Sequence, residues 1–188
     1  MHEFYTVSRK DISNLKELTL FDSSPDEIYE VTNLFTQNEA KHKIKELFPN
    51  GISSHGKQYL HDKYNYIYDA NKTSYVSYLH IIEITFELVR QIKFKDKLSR
   101  FESIFGWETI EEAIKFRLEK GKPTDKIYKV STKSFVKADM NLLYTATIPG
   151  NIIIAEKYWN GESSQNPCWE ILMTAPVKIL SEIYIPKN

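Results

Sequence analysis

Cysteine is almost missing from this chain of 188 residues, where Cys168 stands alone. A lone thiol forms no intramolecular disulfide, and it excludes a CxxC redox pair or a cysteine-rich zinc site. Net charge is missing too, because 25 Lys and Arg balance 25 Asp and Glu. Bulk electrostatics therefore supplies no pull toward nucleic acid or a membrane surface, and any basic patch has to be local. No stretch reaches the ~18 apolar residues of a membrane span. The opening residues Met1 to Tyr5 lack the basic and apolar regions of a secretory signal. The five histidines (His2, His42, His55, His61 and His80) contain no HxH or HxxxH pair, so no metal site is expected. There is no internal repeat, low-complexity tract or splitting linker. The expectation is a soluble, cytoplasmic protein with no membrane partner.

What is present builds a core. Hydrophobic residues at 41% and charged residues at 27% are those of an ordinary globular protein, and twelve Tyr with ten Phe supply packing bulk. The length suits one domain over residues 1–188, with a helical insertion over about 25–95. Phe4 to Arg9 is aromatic and β-branched and reads as a strand. Ser23-Ser24-Pro25-Asp26-Glu27 reads as a helix start that carries Ile28, Val31, Leu34 and Phe35 inward. A second helix is expected over Asn38–Phe48, and a third from Thr73-Ser74 to about Gln91. On the third, Val76, Leu79, His80, Glu83, Phe86, Glu87 and Arg90 share one broad face, with Glu83 and Arg90 expected at its margin. Ser99 to Trp107 reads as a strand. A helix follows from Glu108, with Thr109 as N-cap and Glu112 completing a capping box. Lys126–Val130 alternates as a strand, Ser134–Tyr144 reads as loop passing into helix, and a last helix spans Asn151–Tyr158. The fold class is α+β.

The chemistry gathers near the C-terminus. Ile171-Leu172-Met173 is a short apolar strand, and Val177-Lys178-Ile179 resumes after Pro176. Glu170 stands at the strand's entrance, at the rim of the core. A carboxylate there is either solvated or tuned by burial for catalysis.

Three segments in order resemble the ADP-ribosyltransferase superfamily: Phe4–Arg9, Ser103–Trp107 with the helix after it, and Glu170–Leu172 with Pro176–Ile179. In addition, Ile127–Val130 through Ala138-Asp139-Met140-Asn141 is similar to the strand and aspartate loop of the rifamycin-modifying branch. The DNA-modifying toxin branch is a further likeness, with its inserted helices and late glutamate. The resemblance implies an ADP-ribosyltransferase-like split β-sheet core and NAD as substrate, with no metal. It implies transfer of ADP-ribose to a macromolecular acceptor, nucleic acid or protein. The setting it implies is a toxin or phage-conflict factor, with an antitoxin or other protein partner.

On that resemblance Glu170 is the first catalytic choice and Asp139 the second, with a turn or N-cap aspartate as the alternative for Asp139. Tyr5, Thr6 and Arg9 offer contacts to ribose and diphosphate, although Thr6 stands where many members have His. Arg100 is a candidate for the diphosphate or the acceptor, or a solvated connector residue. Ser103 is a candidate to bond ribose or order Glu170, and Phe105 to stack on a base or simply fill the core. Cys168, two before Glu170, replaces the Glu or Gln of arginine-modifying members and argues against an arginine acceptor. The rival functions are an NAD glycohydrolase and an inactive module that captures a nucleotide or a protein.

Overall fold

The alternation of residues 4–9 becomes strand β1 (His2–Ser8), which begins an architecture of helices and antiparallel strands, with five α-helices among the described residues. The computed structural model describes residues 1–22, 34–61, 66–68, 74–76 and 78–184. After β1 come β2 (Glu17–Leu18), α1 (Gln37–Leu47), α2 (Ser54–His61), β3 (Tyr66–Tyr68), β4 (Ser74–Val76) and α3 (Tyr78–Lys93). Then follow β5 (Ser103–Gly106), α4 (Ile110–Lys120), β6 (Lys126–Thr132), β7 (Phe135–Asp139), α5 (Ile148–Asn160), β8 (Trp169–Thr174) and β9 (Val177–Ile183). Short 3₁₀ turns occupy Arg100–Glu102 and Met140–Leu142.

Local signals account for most boundaries. Thr109 and Glu112 form the expected capping box on α4, and Gly121 ends that helix. Thr36 and Glu39 form a second box on α1. Gly161, at φ 77°, closes α5 in the left-handed conformation that glycine adopts without a Cβ penalty. Other expectations need correction. The helix expected from Ser23 falls on residues 23–33, outside the described residues, and Leu34 and Phe35 are exposed rather than inward. Ser74–Val76 is not the start of a helix but a strand paired with β3. Ser134–Tyr144 contains β7, which pairs with β8; its Lys137 and Asp139 interrupt the apolar run and weaken the period-two signal. Residues 25–95 thus hold a strand pair as well as helices.

The strands form two larger sheets, ordered β1-β6-β9-β2 and β5-β8-β7, besides the β3–β4 pair. Alternation along β8 divides its side chains between two cores. Ile171 and Met173 pack with Phe4, Tyr128, Val130 and Val177 of the first sheet. Leu172 faces the other way, into a cluster with Ile82, Phe86 and Val89 of α3 and Ala155, Tyr158 and Trp159 of α5. Full burial of such a side chain stabilises by about 1.5–3 kcal/mol.

Beyond this packing, backbone hydrogen bonds join the two sheets at a seam. Tyr5 and Trp107 exchange backbone hydrogen bonds of 2.9 and 2.7 Å, and Thr6 Oγ1 donates to the Phe105 carbonyl at 2.7 Å. A Cβ on the adjoining Gly106 would stand 2.8 Å from both the Tyr5 carbonyl oxygen and Met173 Cε. Only glycine permits that approach. The seam sits beside Glu170, because Gly106 pairs with Ile171.

Candidate functional site

Glu170 is the second residue of β8, and register with β7 sets it opposite Ala138. Its side chain follows the Leu172 face toward the helices and is only 3% exposed. The expected position at the rim is therefore corrected to burial, since α3 and α5 close over that face. Buried charge persists only when paired. Arg100 supplies the pair: its Nη1 donates to Glu170 Oε1 at 2.6 Å. Tyr158 Oη donates to the same oxygen at 2.7 Å. Oε2 receives no hydrogen bond among the described residues.

Arg100 is aimed by its surroundings. Ser99 Oγ accepts from Phe101 N and donates to Glu87 Oε2 at 2.8 Å, while Ser103 Oγ donates to the Ser99 carbonyl at 2.7 Å. This pins the 3₁₀ turn, and the guanidinium reaches both ways. Its Nε and Nη2 donate to the two oxygens of Glu83 at 3.1 Å each. Glu83 and Glu87 share the inner face of α3 at i, i+4 spacing. Glu87 is neutralised separately by Arg90, which donates through Nε and Nη2 at 3.0 and 2.7 Å. His55 on α2 brings Nε2 to 3.1 Å from Glu83 Oε1, off the line of a hydrogen bond, with its ring against Tyr59 and Phe105.

Two carboxylates thus share one guanidinium, so Glu83, Glu170 and Arg100 together carry one formal negative charge, with His55 beside them. Burial pushes the Glu83 carboxyl up, but Arg100 and then His55 outweigh it and hold the group well below the usual range. For Arg100, burial opposes the charge, yet Glu170 and Glu83 raise its pKa further above the ordinary value. Burial pushes the Tyr158 hydroxyl well up against the opposing pull of Arg100, so it stays a proton donor. A buried site with surplus negative charge favours a positive charge developing beside it.

The other sequence candidates separate. Phe105 joins the cluster, with the Arg100 guanidinium 4.9 Å from its ring centre. Ser103 is buried on the Glu170 face of its sheet but pairs with Thr174, four residues along β8. At ~3.3 Å per residue it cannot touch Glu170, and it acts on the turn that carries Arg100. Arg100 is no solvated connector, being 5% exposed. The Tyr5 ring lies in a different cluster, with Trp107, Ala113 and Ile127. Arg9 is exposed just past the end of β1. Asp139 is wholly buried, and its oxygens accept from the backbone N–H groups of Asn141, Ser164 and Cys168 at 3.0, 2.7 and 2.8 Å. Burial raises its pKa, but those donors outweigh it and leave the group below its ordinary value. Burial pushes the Cys168 thiol up.

Sequence reasoning placed Glu83 at a helix margin; it is the buried second partner of Arg100, along with Tyr158 and His55. The sequence held no local signal for this, because Glu83, Glu87 and Arg90 share one face of α3 opposite an aliphatic stripe, which reads as a solvated face. Among the described residues no three His, Cys, Asp or Glu are grouped to hold a metal ion, and no helix is long and apolar enough to cross a membrane.

A family described as a protein of unknown function (DUF2441) matches residues 4–185, and the chain belongs to that family. No curated protein matches it.

Proposed function

We propose that this member of an uncharacterised family is an NAD-dependent ADP-ribosyltransferase, with Glu170 as the carboxylate at the reacting ribose. The observation that carries the reading is the arrangement of Glu170: buried under α3 and α5 beside the seam of two sheets, and held through one oxygen by Tyr158 and by an Arg100 that it shares with Glu83. The split of the strands into two sheets that meet between Tyr5 and Trp107 supports it as well. In the reaction, the bond between ribose C1′ and the nicotinamide nitrogen breaks and its electron pair leaves with nicotinamide. C1′ becomes oxocarbenium-like, stabilised by the anionic cluster. An acceptor nucleophile then bonds to C1′ and releases its proton to Glu170 Oε2.

The geometry reassigns some roles within this proposal. Arg100, already shared by two carboxylates, orients Glu170 instead of binding diphosphate. Arg9, whose exposed fork suits phosphate oxygens, takes the diphosphate. Phe105 flanks the reacting centre, and Asp139 shapes the loop before β8. The acceptor is a nucleic acid or a protein, and the toxin or phage-conflict setting with a protein partner belongs to the same proposal.

One observation favours a second reading. Glu170 is closed off and ion-paired, as suits a fold that captures a nucleotide or partner without cleaving NAD. Labelled NAD incubated with the protein and cell lysate, nucleic acid or protein distinguishes the readings. The transferase labels an acceptor and releases nicotinamide, and Glu170→Gln lowers that turnover by about 10²–10⁴-fold. Nicotinamide release without an acceptor identifies a glycohydrolase, and binding without release identifies the capture module. Turnover unchanged in Glu170→Gln removes the residue from the mechanism.

A further inference from the structure

Helix α3 is built inside out. It buries Glu83 and Glu87 and exposes Ile81, Ile84, Leu88 and Ile92, the last at 72% exposure. Those four aliphatics fall at spacings of three, four and four, which makes a continuous stripe along a helix of 16 residues, ~24 Å long. Soluble surfaces scatter such residues singly, and a contiguous apolar row marks an interface. Helix α5 lies alongside, antiparallel, since Trp159 Nε1 donates to the Phe86 carbonyl while Glu156 pairs with Lys93. Exposed Ile152 and Ile153 stand one turn before Glu156, and Ile92 adjoins Lys93, so the two rows meet across that ion pair.

We propose that the α3/α5 face is the interface of a homodimer. Three observations select a second copy as occupant. First, the stripe is nearly palindromic: turned about a two-fold axis near Phe86, Ile84 meets Leu88 of the other copy and Ile81 meets Ile92. An isologous contact of that kind closes on itself. Second, Lys93 and Glu156 on that face neutralise each other, so aliphatic side chains dominate what it presents. Zero net charge on the whole chain leaves self-association unopposed. Third, a layer two helices wide covers roughly 500 Å² in plan before side-chain relief, near the ~600 Å² per partner at which stable interfaces begin. A lipid surface is the weaker fit, since it calls for a basic rim, and Asp96 stands between Lys95 and Lys97. This inference does not rest on the catalytic reading.

Sedimentation velocity over a concentration series tests it. The wild type runs as a dimer that dissociates on dilution. Leu88→Glu and Ile84→Lys each shift it to monomer with an unchanged far-ultraviolet circular dichroism spectrum, because both side chains are exposed in the single chain; the thermal midpoint falls only by the stabilisation that association supplies. Ile92→Glu, farther from the axis, weakens it less and serves if either central variant fails to fold. The double variant I84K/L88E restores the dimer, since each new cation then faces a new anion across the axis. A wild type that is monomeric throughout overturns the proposal, as does a dimer indifferent to Leu88→Glu. A monomer that floats with phosphatidylserine vesicles replaces it with a lipid-binding face.

Discussion

Two buried carboxylates stand one rung apart on the same ladder, Glu170 opposite Ala138 and Asp139 opposite Trp169, and they are held in opposite ways. Asp139 spends both oxygens on backbone N–H groups from three loop positions. Glu170 spends one oxygen on an arginine and a tyrosine, both side chains. A carboxylate saturated by backbone fixes a chain path and has nothing left to exchange. One held by side chains, through an arginine that also serves a second carboxylate, keeps an oxygen free of donors among the described residues. Burial alone does not distinguish a catalytic acid from a structural one; the chemistry of the donors does.

The comparison breaks most forcefully at Arg100. Arg100→Met leaves Glu83 and Glu170 buried without a cation, and the expected loss is about 3–5 kcal/mol of unfolding free energy in urea. A loss under about 1 kcal/mol would show that the cluster is open to water. Next in size is Asp139→Asn. Its amide turns an N–H group toward the Ser164 N–H, so it should cost about 1–3 kcal/mol at neutral pH. The sign with pH is set by the lowered pKa of Asp139. Its stabilisation is present above the unfolded value of about 3.9 and is lost as pH falls through the folded value. The stability gap between wild type and Asp139→Asn therefore closes in acid, and a gap constant down to the folded value would refute the assignment. Smallest is Glu170→Gln, which keeps the shape of the side chain while Glu83 still pairs Arg100. Thermal melts should place it within about 1 kcal/mol of wild type. Asp139→Asn thus lowers stability and Glu170→Gln lowers turnover.

Sequence carried the elements whose signals are local. The Thr109 capping box, the Gly121 stop and the alternation of β1 and β6 needed no tertiary information. Glu170 was legible as a carboxylate leading an apolar strand. Its closure was not, because the lid over it comes from α3 and α5, far apart in the chain. Arg100 looked like part of a solvated connector since its neighbours Lys95, Asp96 and Lys97 are polar. Only the Ser99 and Ser103 hydrogen bonds turn it inward. β7 was read as loop and helix because three of its five residues are half-buried and carry a weak alternation. The margin assigned to Glu83 failed for a thermodynamic reason: exposing aliphatics while burying a glutamate looks unfavourable until its arginine is in place.

The order of strands also sets when the fold can form. β1 pairs with β6, from His2 opposite Thr132 to Ser8 opposite Lys126, and β6 in turn pairs with β9. A chain growing from its N-terminus makes β1 long before either partner exists. β1 therefore cannot pair on the ribosome until β6 has emerged, and closing so distant a pairing is slow. Until then β1 is an unpaired edge of aromatic and β-branched residues, the kind of segment that recruits a chaperone or a neighbouring chain.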